Sequence, residues 1–425
     1  MKDFLRSLLY FFLFLFWLIP SVFSQGLPIV TPEEVGLSSE RLQRINTVMQ
    51  DYVDQQKLAG LTTVVARRGK VVRFEHYGMR NVEAGKPIQS HTIFRIYSMS
   101  KPITSTAVMI LYEEGLFQLN DPISMYIPEF KNVKVFKKAT PTGVELEDPI
   151  REITIRDLLI HTAGLTYGYF SDTPVDKMYL EANLMKLGST LKEWIPRLAE
   201  LPLLYQPGTQ WHYSWSIAVL GYFIEVVSGM PFDQFLEERL FKPLSMKDTG
   251  FIVPEVKKDR LAEIYTHDDN GGLKISGPTF RLFSGGQPTL FLGGEGLVST
   301  ASDYMRFAQM ILNKGELDGI RVLSPKTVDL MSMNHLSKGM IISTPDGSEP
   351  IGWGFGLGFA VRIDVSQSEL IGSEGELTWS GAANTYFWID PKEELIGLMM
   401  TQFMPWNLYP IFRQLKVLTY QAVVD

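Results

Sequence analysis

The chain contains no cysteine. That absence excludes disulfides, thiol nucleophiles, thiolate metal sites and a lipid-modified cysteine anchor. With 425 residues, 45% of them hydrophobic, the core is large enough to do without disulfides. An excess of basic charge is also missing. The net charge of −7 argues against a surface built for nucleic acid. No His-Glu-x-x-His or comparable ligand spacing occurs, so no metal and no cofactor is called for. His267-Asp268-Asp269 reads as a solvated loop. The Gly-x-Ser-x-Gly elbow of α/β-hydrolases is absent, as are internal repeats and low-complexity tracts.

Long hydrophobic runs are scarce as well. The one that stands out is Leu8 to Ile19, twelve residues, which falls short of a bilayer span. Lys2 and Arg6 precede it; Pro20 and Val22-Phe23-Ser24 follow. The pattern predicts a signal peptide over residues 1–24, cleaved before Gln25, and a secreted or periplasmic protein. The alternative is an uncleaved N-terminal anchor, and no other membrane contact is expected.

Periodicity organises the rest. Ser38 or Ser39 caps a helix whose face runs Leu42, Ile45, Met49, Tyr52 and Val53. Thr62 to Ala66 and Val71 to His76 form a hairpin around Gly69. A helix with apolar Ile103, Ala107, Ile110 and Leu111 begins near Ser98 to Ser100, because Pro102 fits only a first turn, and Gly115 stops it. Ile217 to Val227 is helical, ended by Gly229 and Pro231. Thr385–Ile389 and Leu395–Gln402 make a second hairpin, before a last helix with Ile411, Leu415, Leu418 and Ala422 on one face. Strands arriving in hairpins give an α+β fold: an antiparallel sheet flanked by terminal helices, with a mostly helical inserted subdomain at about 116–290 inside one domain, 25–425. A cleft between the two is the default place for a site.

Three clusters can carry chemistry. In Ser98-Met99-Ser100-Lys101 the i,i+3 spacing sets an amine beside a hydroxyl at a helix start. There burial lowers the lysine's pKa and the helix N-terminus favours developing negative charge. The pattern recurs at Ser189-Thr190-Leu191-Lys192, which reads as an exposed cap of a short helix ending at Pro196. Tyr213-Ser214-Trp215, just before a helix, offers a phenol for proton transfer, although taken alone a core tyrosine is the commoner reading. Trp379-Ser380-Gly381-Ala382 leads the strand at Thr385. It supplies either a simple turn or a backbone N–H at Ala382 that pairs with the N–H of Ser98 as an oxyanion hole. His161 reads as structural, bonded to backbone, and His212 as a residue lining the cleft.

Together these segments resemble the β-lactamase-related serine hydrolases: class C β-lactamases, D-Ala-D-Ala peptidases and, most closely, the family VIII carboxylesterases. The resemblance spans nearly all of Leu37 to Thr401. It runs through Phe94–Lys101, Ile153–Leu165, Gln206–Ser214 and Gly293–Thr300. It implies a β-lactamase/transpeptidase-like fold, Ser98 as acylated nucleophile, Lys101 and Tyr213 as its partners, and the backbone of Ser98 and Ala382 as the oxyanion hole. Trp215, Trp379, Ser380, Gly381 and His212 would meet the substrate, a small ester or amide.

Two departures from that pattern narrow the function. Trp215 stands where β-lactamases carry an asparagine, and Trp379 where they carry a lysine. An indole in place of the cation removes the complement to a substrate carboxylate and adds an apolar wall. The expectation is therefore a carboxylesterase on small esters. A D-amino-acid peptidase or weak β-lactamase is the first alternative, and a non-catalytic acyl-binding protein the second.

Overall fold

The computed structural model describes residues 26–425 apart from 142, 187, 278–287 and 344–349. The expected signal peptide, residues 1–24, lies outside the described residues. Strands come from the two ends of the chain: β1 (Gly60–Arg67), β2 (Lys70–Asn81), β3 (Lys86–Pro87), then β4 (Trp353–Phe355), β5 (Ala360–Arg362), β6 (Leu377–Gly381), β7 (Thr385–Asp390) and β8 (Leu395–Thr401). They form one eight-stranded sheet in the order β4-β5-β6-β7-β8-β1-β2-β3. Every pairing is antiparallel. The two ends meet where β1 joins β8, with Leu61 opposite Thr401 and Val64 opposite Leu398.

The period of two assigns side chains to the two faces. Leu61, Val65, Trp388, Leu395 and Met399 point one way, against Leu42, Ile45 and Met49 of α1 (Ser39–Asp54) and Leu415 of the C-terminal helix Ile411–Tyr420. Val64, Ala66, Phe387, Ile389 and Leu398 point the other way. They meet Ile103 and Ala107 of α2 (Ser100–Glu113) and a later helix, Ala301–Leu312. With helices on both faces, β1 is buried along its whole length. Each buried Leu or Ile in these layers contributes roughly 1.5–3 kcal/mol.

Local signals explain the boundaries. The Ser38 hydroxyl accepts the Arg41 N–H at 3.3 Å and caps α1. Gly69, at φ +73°, turns β1 into β2. Pro102 is the third residue of α2, where its missing N–H has no intrahelical partner to lose. The segment between the sheet halves carries helices at Ile155–Leu159, Pro174–Glu181, α3 (Leu191–Ala199), α4 (Ser216–Ser228) and Phe232–Leu236, with two short hairpins, Val135–Glu147 and Tyr265–Ile275. Left-handed Gly229, at φ +69°, closes α4. Helix Ala301–Leu312 is α5 and Ile411–Tyr420 is α6.

Some details differ from the sequence reading. α3 is capped at Thr190, yet it runs through Pro196 to Ala199 instead of stopping there. Buried Trp194, Ile195 and Leu198 hold the turn beyond the proline, outweighing one lost hydrogen bond. α6 ends at Tyr420, so Ala422 is buried just past the helix. Strands β4, β5 and β6 were not anticipated; β4 and β5 have three residues each, too few for alternation to show.

Candidate active site

Phe94–Arg95 pairs antiparallel with Val298–Ser299, which fixes the chain just before Ser98. Tyr97 then adopts φ +44°, left-handed for a bulky residue. Such a backbone costs about 1–2 kcal/mol, and strain of this kind concentrates at functional sites. Ser98 lies in a single tight turn, Tyr97–Met99, and regular α-helix starts only at Ser100. The i,i+3 contact survives this: Lys101 Nζ donates to Ser98 Oγ at 3.1 Å. Nζ also donates to the Gly294 carbonyl at 2.8 Å. Burial pushes Lys101 down to about 8, partly opposed by the Glu295 carboxylate. Ser98 itself stays half-exposed, as an attacking group must.

Tyr213, just ahead of α4, completes a chain of contacts. Its phenol accepts the Trp379 indole N–H at 3.2 Å and lies within reach of the Ser98 hydroxyl. Burial raises its pKa, while Ser98 and Trp379 oppose the rise. Lys101 Nζ lies 4.5 Å from the centre of the Tyr213 ring, over its face. The order is therefore Lys101, Ser98, Tyr213, Trp379.

Trp379, Ser380 and Gly381 end a strand of their own, β6, rather than leading β7, and Ala382 lies in the turn between the two. Gly381 is required by close approach: a Cβ there would sit 2.3 Å from the Ile96 carbonyl oxygen, two residues before Ser98. That approach draws the β6–β7 turn against the turn that carries Ser98. Among the described residues the Ala382 N–H makes no backbone hydrogen bond. Trp379 is half-buried, and its ring packs 5.3 Å from Tyr213 and 5.4 Å from Phe355.

The other expected residues are placed differently. Trp215 is buried behind the site, 4.5 Å from the Tyr167 ring and 5.6 Å from Trp194. His212 does not join Ser98. The Trp211 and Tyr213 rings stack on one side of their segment, so the residue between them points the other way. His212 Nε2 meets the Thr166 hydroxyl at 3.1 Å, and its ring packs on Tyr205. His161 is fully buried 4.9 Å from the Tyr213 ring, and its Nδ1 meets the Ser214 hydroxyl at 3.4 Å rather than a backbone group. Burial and the nearby Lys101 charge hold its pKa well below 6.5.

Two neighbours went unassigned in the sequence reading. Glu295 Oε2 lies 3.9 Å from Lys101 Nζ and accepts the Tyr167 hydroxyl at 3.2 Å. The sequence signal was a lone acid between glycines in Gly293-Gly294-Glu295-Gly296. These glycines are spacers: a Cβ on Gly294 would come within 3.3 Å of both Lys101 Nζ and the Tyr167 hydroxyl. Among the described residues no cluster of His, Asp or Glu could hold a metal ion. Among those same residues no single helix is long and apolar enough to cross a membrane.

Comparison with known proteins gives the family. The Beta-lactamase family model matches residues 45–418. The chain is similar to Protein Rv1367c of Mycobacterium tuberculosis, 36% identical over 366 residues, covering 84% of this chain and 89% of that protein. It is also similar to Esterase EstB of Burkholderia gladioli, 28% identical over 380 residues, 84% of this chain and 89% of that one. Among solved structures, EstCE1, described as a hydrolase with promiscuous acyltransferase activity, superposes with a TM-score of 0.73 at 27% identity. That match covers 90% of this chain and 99% of EstCE1. On this evidence of fold, site and sequence, the chain belongs to the Beta-lactamase family and is a β-lactamase-related serine hydrolase.

Proposed function

We propose that the protein is a carboxylesterase acting on small, uncharged esters through an acyl-enzyme on Ser98. The observation that carries this reading is the contact chain from Lys101 through Ser98 and Tyr213 to the Trp379 indole. It sets a base, a nucleophile and a proton shuttle in contact, and it ends in an apolar ring. Ser98 Oγ attacks the ester carbonyl carbon while its proton passes to Lys101 and Tyr213. The N–H groups of Ser98 and Ala382 receive the oxyanion. The alcohol leaves with a proton from the same pair, and water releases the acid. An acceptor alcohol in place of water gives acyl transfer, in keeping with the description of EstCE1.

The test is a substrate panel: short-chain aryl esters, a chromogenic cephalosporin and a D-amino-acid peptide. Intact-mass analysis after a phosphonate serine trap accompanies it, with Ser98→Ala as control. Ester turnover with a mass gain lost in Ser98→Ala is expected. Turnover of the cephalosporin or peptide alone would move the assignment to a β-lactamase or peptidase. No turnover and no labelling would favour an acyl-binding protein. Export belongs to the same proposal and rests on the composition of residues 1–24; a chain that stays in the cytoplasmic fraction with Met1 in place would sink it.

A further inference from the structure

The acyl-transfer scheme leaves the acid beside its lysine unused. The Glu295 side chain is 13% exposed and faces Lys101, which is 1% exposed. At 3.9 Å the carboxylate is beyond hydrogen-bond reach of Nζ, so the amine keeps its bonds to Ser98 Oγ and the Gly294 carbonyl. At that separation, between two side chains largely withdrawn from solvent, its charge still acts on the amine with weak screening. The glycines on either side let the loop come close, and Tyr167 pins Oε2. Oε1 is buried with no hydrogen-bond partner among the described residues, so nothing else ties this carboxylate into the fold.

We propose that Glu295 is a positioning residue that sets the basicity of Lys101 and balances the charge Lys101 gains when Ser98 is acylated. This rests on the reading of Ser98 as nucleophile with Lys101 as its base. As the Ser98 Oγ–carbon bond forms, the hydroxyl proton moves to Nζ, and the new ammonium faces a carboxylate instead of an apolar wall. As the ester C–O bond breaks, the proton goes on to the leaving oxygen and the amine is neutral again. The charge makes Lys101 a stronger base and delays its deprotonation to higher pH.

The other titratable groups around the pair come from three elements. Ser98 lies in the turn before α2. His161, Tyr167 and Tyr169 lie on the loop after Ile155–Leu159, and Tyr213 lies before α4. Burial and Lys101 hold His161 well below 6.5. Burial, reinforced by Glu295, holds Tyr167 well above 10. Burial also raises Tyr213. Burial raises Glu295 too, with Lys101 and Tyr167 opposing the rise, so the pH dependence of the site belongs to the Lys101–Glu295 pair.

The experiment is kcat/KM for p-nitrophenyl acetate against pH, for the wild-type chain, Glu295→Gln and Glu295→Asp. Glutamine keeps the size and the acceptor for Tyr167 but removes the charge. Its acid limb is expected about one pH unit or more below that of the wild type. Aspartate keeps the charge, and its limb is expected near the wild-type position. If Glu295→Gln fails to fold, Glu295→Ala is expected to move the limb in the same direction. A purely structural Glu295 would lower the rate without moving the limb. A limb shared by wild type and the neutral variants overturns this inference and leaves the esterase reading intact. A wild-type chain that neither turns over nor labels at Ser98 overturns both.

Discussion

Among the described residues two lysines are buried, and they are treated differently. Lys101 lies beside Ser98 and Lys416 on α6 faces the sheet, and burial pushes both down to about 8. Lys101 bonds a hydroxyl and a carbonyl, and its carboxylate stands off at 3.9 Å. Lys416 bonds the Glu376 carboxylate directly, within a cluster that includes Arg362, Asp390 and Tyr420. A lowered amine pKa is therefore no mark of catalysis by itself. What separates the two is the first partner: the half-exposed Ser98 hydroxyl for one, a buried counter-ion for the other.

Four measurements press on that contrast. Lys101→Met should lower kcat/KM for aryl esters by about 10³-fold, with little change in thermal melting. An equal loss in Lys416→Met, measured per folded molecule, would erase the distinction. Lys416→Met should instead lose about 3 kcal/mol in denaturant unfolding, because Glu376 loses its main partner inside the fold. Next comes pH. The neutral amine is the competent form, so ester hydrolysis should fall about tenfold per pH unit below about 8. Stability should rise between about 8 and 10.4, where the unfolded chain binds protons that both native lysines have shed. Each Lys→Met change should flatten that rise, while only one abolishes activity; urea titrations across the window check this. Smallest is the aromatic end of the relay. Trp379→Phe removes the N–H that bonds the Tyr213 phenol and should lower kcat about tenfold, whereas His212→Gln should stay within about twofold.

Local features of this fold were legible in the sequence and distant juxtapositions were not. The caps at Ser38 and Thr190 depend on neighbours three residues away, as does the Lys101–Ser98 contact, so spacing alone reveals them. The face of α1 repeats often enough to read. β4 and β5 are too short, and the reach of α3 past Pro196 depends on what Trp194 and Leu198 pack against. The Trp379–Tyr213 hydrogen bond joins residues 166 positions apart. No periodicity announces such a contact; only the family resemblance brought both residues into the site. His212 was misdirected because its direction is fixed by its neighbours' rings. Glu295 lacked a role because its meaning lies in Lys101, reached only when the loop Gly293–Gly296 closes over α2.

The seam between β1 and β8 has a bearing on how the protein is made. Leu61 waits for Thr401 as its neighbour, so the nascent chain on a ribosome carries an unzipped β1 through nearly the whole of synthesis. Pairing of such remote partners is slow, and the open edge is sticky until it happens. The turn that Gly381 presses against Ile96 arrives equally late. A half-made chain thus holds its serine and lysine without a working pocket, and hydrolysis should begin only once the final strand has snapped home.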